Sequence, residues 1–423
     1  MTPVPLDLPL RTSEAAELAN LIFDQAERKA LTEEVRNRLA ARASVLRLET
    51  ITPWFGSLAR DPVHPSSYYV AVDGARGEPL LLHVALATAP TSSIFYKPLL
   101  IGRMRRPNGF EMVLNAVPFG AGERERLEQF AQRIDTAFLP RPQGIRTAIA
   151  IEPADPEKEL PGAFEAFRAV WKRTGKNVAA MGVAAGTDAR RLYSAGLWAA
   201  IRAGWREGFS AGVKIAASET PEPAREAIRE AAAFTRFAID IGPLLRPVAG
   251  GGDTAAEEKF EAGFSAEDRG WMFDEFGVLE LTPEDVVRLA VKFGPGLQAA
   301  ERLHETIRQA RAAQKTARPF DFELSIEQAA ERTTAEELMF CLHWLKARGH
   351  AAQLAAPRVA GPASGMADLA AVARRYQCVL SLEGRPEHGP EELDAIARAT
   401  AGRVNYRVPG AEWIAMAAER LLG

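Results

Sequence analysis

The 423-residue chain carries only two cysteines, Cys341 and Cys378, and neither has a Cys or His neighbour at metal-ligand spacing. A disulfide framework and a thiolate metal site are thereby excluded, and two buried thiols are expected. No run approaches the ~18 to 20 consecutive apolar residues of a membrane helix. The N-terminal stretch MTPVPLDLPLRTSEAAEL has neither the basic start nor the apolar centre of a secretory leader. These absences predict a cytoplasmic protein with no membrane partner. Charge of one sign is also missing: 52 Lys and Arg stand against 55 Asp and Glu, a net charge of -3. No overall field draws a phosphate backbone, so nucleic acid is not an expected partner. Ala249-Gly250-Gly251-Gly252 lacks the Lys-Ser/Thr of a phosphate loop and the spacing of a dinucleotide fingerprint, and reads as a flexible connection.

What is present is an ordinary globular composition, 47% hydrophobic and 25% charged, long enough at roughly 150 residues per domain for two or three domains. Residues 1–140 read as an N-terminal α+β extension. Helical periodicity runs through Ser13–Arg42 (Leu18, Leu21, Ile22, Ala26), strand-like runs cover Tyr68–Val72, Leu80–Ala87 and Phe110–Val117, and a helix is expected over Glu123–Phe138. Pro140, Pro142 and Gly144 then break the pattern. Across residues 141–423, eight short apolar runs alternate with amphipathic segments: 147–151, 177–183, 212–217, 236–241, 321–326, 352–356, 378–382 and 404–408. Eight such pairs predict an α/β fold of (β/α)8, TIM-barrel type rather than an open doubly wound sheet. An insertion at about 242–318, with a long helical pattern over Thr282–Gln314, follows the fourth strand and is a candidate lid.

Reacting groups in such a barrel project from C-terminal strand ends. The polar residues there are Lys214 in the third strand, Asp240 ending the fourth, Glu323 in the fifth with Glu327 just after it, and Glu383 ending the seventh. A charge among apolar neighbours must find a partner, a metal or a shifted pKa. Carboxylates around one lysine form either an internal ion network or an oxygen cage for a divalent cation, and both remain open at this point. In the loop after the seventh strand, Arg385 and His388 are candidate substrate contacts together with Glu327, Arg385 through its fork of donors for a carboxylate. His343 reads as a packed or hydrogen-bonded helix residue, Trp198 and Trp205 as packing residues on one helical face, and Arg103-Met104-Arg105-Arg106 as a surface patch.

Ala195-Gly196-Leu197-Trp198 through Gly204-Trp205-Arg206-Glu207-Gly208-Phe209 resembles the helix that leads into the metal-binding strand of the tagaturonate epimerase family. Phe234 to Asp240, Lys292-Phe293-Gly294, Pro319 to Glu323, Thr333-Thr334 with Glu336-Glu337-Leu338, His343 to Gly349, Ile396 to Tyr406 and Asn115 to Gly120 are similar to the same family in the same order. The resemblance covers roughly residues 106–423. It implies a metal-dependent barrel enzyme that interconverts tagaturonate and fructuronate, the metal on the keto oxygen stabilising the enediolate formed by proton removal.

The chain departs from that pattern at the chemistry. Where the family carries an Asp-x-Asp-His cluster, this sequence reads Ser210-Ala211-Gly212-Val213-Lys214, and the strand-seven histidine is Glu383. Asp240 and Glu323 are the matching acidic positions and would be metal ligands if a metal is retained. Lys214 stands where the family's second acidic ligand would be, so the expectation is that its ammonium replaces the dication between carboxylates. The resemblance thus implies a divergent hexuronate epimerase homologue without the metal-dependent activity, binding a sugar acid or a partner. The alternative is an active sugar-acid epimerase or isomerase whose catalytic groups are Lys214, Glu323 and Glu383. Oligomeric state is not legible in the chain.

Overall fold

The computed structural model describes residues 9–27, 29–88, 99–106, 108–183, 188–247, 254–313, 319–359, 365–384 and 389–423. The chain forms two compact units, one of Met1–Leu139, Asp155–Lys172 and Arg191–Gly208, the other of Pro140–Ala154, Arg173–Arg190 and Phe209–Gly423.

In the first unit, α1 (Thr12–Ala26) and α2 (Glu33–Ala43) precede a five-stranded antiparallel sheet, followed by α3 (Arg124–Arg133). The strands are β1 (Thr52–Arg60), β2 (Ser67–Asp73), β3 (Pro79–Leu86), β4 (Leu99–Arg105) and β5 (Glu111–Pro118), in the order β1-β2-β3-β5-β4. The single helical run expected over Ser13–Arg42 is two helices, because Thr32 starts a new one by accepting a hydrogen bond from the Val35 N–H. The apolar stripe of α1 (Leu18, Ile22, Phe23) joins Tyr68, Val70, Val72, Leu80 and Leu82 in one core. β1 and β4 were not foreseen. The register of β1 on β2 slips between Trp54 and Ala59, a bulge that obscures the alternation a strand shows in sequence. The basic run at 103–106 is only in part a surface patch: Arg106 is buried, 2.6 Å from Asp24 and over the ring of Phe23.

Two further helices, α4 (Pro156–Thr174) and α5 (Ala189–Ala203), contribute most of their length to this unit. Trp198 packs edge-on against Phe119, and Trp205 is buried with its Nε1 donating to the Gly208 carbonyl, so both indoles are packing residues as expected.

The second unit is a closed barrel of eight parallel strands: β6 (Ala148–Ile151), β7 (Ala179–Gly182), β8 (Ser210–Ala216), β9 (Arg236–Asp240), β10 (Asp321–Ser325), β11 (Leu354–Ala356), β12 (Val379–Glu383) and β13 (Val404–Val408). Each lies within or overlaps one of the eight runs read from sequence, so the chain is a TIM-type barrel with an additional N-terminal sheet. Among its helices are α6 (Glu222–Glu230), α7 (Thr254–Gly263), α8 (Ala266–Gly277), α9 (Pro283–Ala313), α10 (Ala335–Ala347), α11 (Met366–Arg375), α12 (Pro390–Thr400) and α13 (Trp413–Leu422). The 31-residue α9 packs against both α6 and α10 and buries Leu289, Phe293, Leu297, Leu303 and Ile307, so much of the 242–318 insertion is barrel helix. The added part is α7 and α8, which pack on α9. The Gly-rich run at 249–252 lies outside the described residues.

Thr334 and Glu337 cap α10 reciprocally, which accounts for the Thr-Glu spacing seen there in the sequence. His343 is hydrogen-bonded to Glu275 at 2.8 Å and to the Tyr376 hydroxyl at 3.2 Å. Cys341 and Cys378 are buried free thiols, and burial pushes both pKa values up. Among the described residues no helix is long and apolar enough to cross a membrane.

His83 in β3 is 2% exposed, stacks on Tyr69 and shares a 2.6 Å hydrogen bond with Ser67. Burial holds its imidazole down to about 4, opposed only in part by Asp61. At pH 5 the unfolded chain binds a proton here that the folded chain does not. Stability is therefore complete above the ordinary histidine range and falls as pH drops from about 6.5 towards 4, by on the order of 2 kcal/mol for this group. The melting temperature of the protein is expected to fall across that interval, and that of His83→Gln to fall less. Equal slopes for the two proteins would contradict this assignment.

Candidate functional site

The strand register stacks the barrel interior in levels. Gly212, Arg236 and Asp321 share one; Lys214, Ala238 and Glu323 the next towards the C-terminal ends; Ala216, Asp240 and Ser325 the one beyond. Side chains alternate along a strand, so every second residue of β8, β9 and β10 contributes to this charged interior.

At the outer levels Lys214, Asp240 and Glu327 converge. Lys214 Nζ donates to Glu327 Oε2 at 2.8 Å and lies 3.6 Å from Asp240 Oδ2, while 31% of its side chain stays accessible. Asp240 is 1% exposed. Two further members were not foreseen. Arg407 in β13 donates to Glu327 and approaches Glu152, just past β6, at 3.8 Å. The result is a chain of alternating charge running Asp240, Lys214, Glu327, Arg407, Glu152.

Glu323 is not part of that chain. Its carboxylate, 2% exposed, faces Arg236 of β9 at 3.6 Å. Arg236, the first residue of β9, occupies the barrel interior over Gly212, where a methyl would lie 2.5 Å from its Nε. Glycine at 212 is what admits the guanidinium. A methyl on Gly182 would meet Glu152 at 3.1 Å and Arg236 at 3.5 Å, so two glycines on adjacent strands make room for this pair of charges. The signal that could have found Arg236 and Arg407 is period-two patterning: Arg236-x-Ala238-x-Asp240 and Asn405-x-Arg407 place polar groups on one face of strands otherwise apolar.

Glu383 ends β12 with its side chain exposed, and Arg385 and His388 lie outside the described residues. At the opposite end of β10, Asp321 accepts hydrogen bonds from the N–H groups of Gln143 (2.6 Å) and Gly144 (2.9 Å), which ties the segment entering the barrel to its fifth strand. Burial raises the Asp321 pKa against those two bonds, and its position at the N-terminal end marks it as structural.

A divalent metal, which the resemblance implies, does not fit these residues. The candidate ligands Asp240 and Glu323 each face a cation, Lys214 and Arg236, and Glu327 is shared between Lys214 and Arg407. Among the described residues no group of three or more His, Cys, Asp or Glu is arranged to hold a metal ion. A dication at Asp240 and Glu323 would have to displace ammonium and guanidinium groups that neutralise the same oxygens.

A closed parallel barrel with charged groups at its C-terminal strand ends defines a protein of the TIM-barrel class. No family model matches the sequence, and no curated protein matches it. Among solved structures, the chain is similar to fructuronate-tagaturonate epimerase UxaE from Cohnella laeviribosi. A glycerol complex of that protein superposes with a TM-score of 0.64 at 16% identity, covering 90% of this chain and 75% of the other. The native form gives a TM-score of 0.63 at 16% identity, covering 90% and 76%. At this identity the likeness concerns the fold.

Removing one member of the buried pair leaves an uncompensated charge. Arg236→Met is expected to destabilise the protein by about 3 kcal/mol in denaturant titration, and Glu323→Gln in the same chain to recover part of that loss. Additive losses in the double variant would show that the two side chains are not coupled. Lys214→Met, at a partly solvated site, is expected to cost less.

Proposed function

We propose that the protein is a distant homologue of the hexuronate epimerases, working in the cytoplasm, that binds a sugar acid at the C-terminal ends of the barrel strands and does not perform metal-dependent epimerisation. One observation carries the reading. Within the barrel, Ser210 Oγ, Arg236 Nε, Ser325 Oγ, Asn405 Oδ1 and Arg407 Nε are buried without a hydrogen-bond partner in the protein, and Asp240 Oδ2 and Glu323 Oε2 have only an ion-pair neighbour at 3.6 Å. These are seven of the thirteen such atoms among the described residues, and they span the barrel interior from Ser210 and Arg236 at the starts of their strands to Asp240 and Ser325 at the C-terminal ends. Buried donors and acceptors left unpaired are costly, and hydroxyls, which donate and accept, suit such a mixed set.

Epimerising a keto-uronate needs an electrophile that stabilises the anion formed on the way, and the cations here are already engaged with Asp240, Glu323 and Glu327. A second reading, a sugar-acid epimerase or isomerase with a rebuilt site, is favoured by Lys214, whose ammonium is accessible and borders two carboxylates. In it, Lys214 would hold or move the proton.

The test is calorimetric titration with tagaturonate and fructuronate, followed by incubation of each with and without added manganese, zinc or nickel and chromatographic analysis for the other. Binding of at least one uronate with no interconversion is the expected outcome. Interconversion without added metal would establish the second reading. Metal-dependent interconversion, or the absence of any binding, would overturn the proposal.

A further inference from the structure

The first unit holds a cleft of about 530 Å³ walled by α2, β1, α4 and the turn after α5. Its floor is a contact between two glycines: Gly204 has φ +67°, and a methyl on it would lie 2.6 Å from the Gly56 Cα. The bulge in β1 turns carbonyls out of the ladder, and guanidinium groups take them up. Arg206 donates to the carbonyls of Gly56 (2.5 Å) and Leu58 (3.1 Å), and Arg36 Nε donates to that of Leu58 (3.1 Å).

Four arginines and three glutamates line the cleft, but they are not equally engaged. Arg206 also binds Asp135 at 2.8 Å. Arg168 is held by Glu33 at 2.9 Å and by the Ala203 carbonyl at 3.0 Å. Arg202 lies over the Trp54 ring at 4.0 Å and 3.8 Å from Asp73. Arg36 differs: beyond its Nε bond, the two terminal nitrogens have no partner among the described residues. Burial, with Arg206 beside it, holds the Arg36 guanidinium down to about 10, against the pull of Asp135 and Glu33. The buried Nε1 of Trp54 also lacks an acceptor, and Trp171 stands edge-on to Trp205 across the wall.

We propose that this cleft binds a small organic anion carrying a planar ring, its carboxylate or phosphate held by the terminal nitrogens of Arg36 and its ring against the indoles of Trp54 and Trp171. A bidentate guanidinium contact suits either anion, and the volume falls within the range of about 300–1,000 Å³ usual for small-molecule sites. Indole faces supply apolar area at low cost in conformational entropy.

The experiment is calorimetric and fluorescence titration of the full chain with phenyl phosphate, 4-hydroxybenzoate, inorganic phosphate and benzyl alcohol. At least one ring anion is expected to saturate at or below about 1 mM, with benzyl alcohol and inorganic phosphate weaker by roughly tenfold or more. The two ring anions distinguish a phosphate ligand from a carboxylate. Arg36→Gln is expected to weaken the ring anion by roughly tenfold with the melting temperature little changed, Arg36→Lys by less, and Trp54→Leu to weaken it independently of the charge. Three results would overturn the proposal: no saturable binding of either ring anion by the unmutated chain, benzyl alcohol binding as tightly, or Arg36→Gln binding as the unmutated chain does.

Discussion

Asp240 and Glu323 are taken almost wholly out of water inside the barrel, and an unpaired carboxylate in that position would cost several kcal/mol. The neighbouring strands answer to that constraint. Lys214 reaches Asp240 from β8, Arg236 reaches Glu323 from β9, and Arg407 reaches Glu327 from β13. Room for the Arg236 guanidinium comes from Gly182 and Gly212, so volume that branched apolar side chains fill in most barrels is here occupied by charge. The small residues of β6 and β7, with Ala148, Ala150 and Ala180 forming a cluster of their own, belong to the same arrangement.

The eight barrel strands were legible because parallel strands buried on both faces read as short apolar runs between helical patterns. The N-terminal sheet was legible only in part. β2, β3 and β5 are continuous, whereas β1 shifts register between Trp54 and Ala59 and β4 is broken in register between Leu100 and Gly102. Of the site, Lys214, Asp240 and Glu327 were found from their places at or just after strand ends, and they meet. Glu323 was found but belongs with Arg236 rather than with Lys214. Arg236 and Arg407 are cations inside strands rather than carboxylates at strand ends, and the pairing of Arg407 with Glu327 and Glu152 depends on closure of the barrel between β13 and β6, which no local pattern records.

Fold likeness and residue chemistry lead in different directions here. The architecture matches an enzyme of hexuronate chemistry over most of both chains. The charged residues inside the barrel nevertheless neutralise one another, and among the described residues they leave no set of ligands for a metal ion. Carboxylates already neutralised by lysine and arginine are poorly suited to holding a dication.

The central claim, that lysine and arginine rather than a metal neutralise the barrel carboxylates, is tested most directly by elemental mass spectrometry of the purified, untagged protein, with thermal stability measured in the same sample after adding manganese, zinc or nickel. The expected result is no stoichiometric divalent metal and no metal-dependent rise in melting temperature. One tightly held equivalent of metal per chain, or stabilisation on its addition, would contradict the claim and place Asp240 and Glu323 in a functioning metal site.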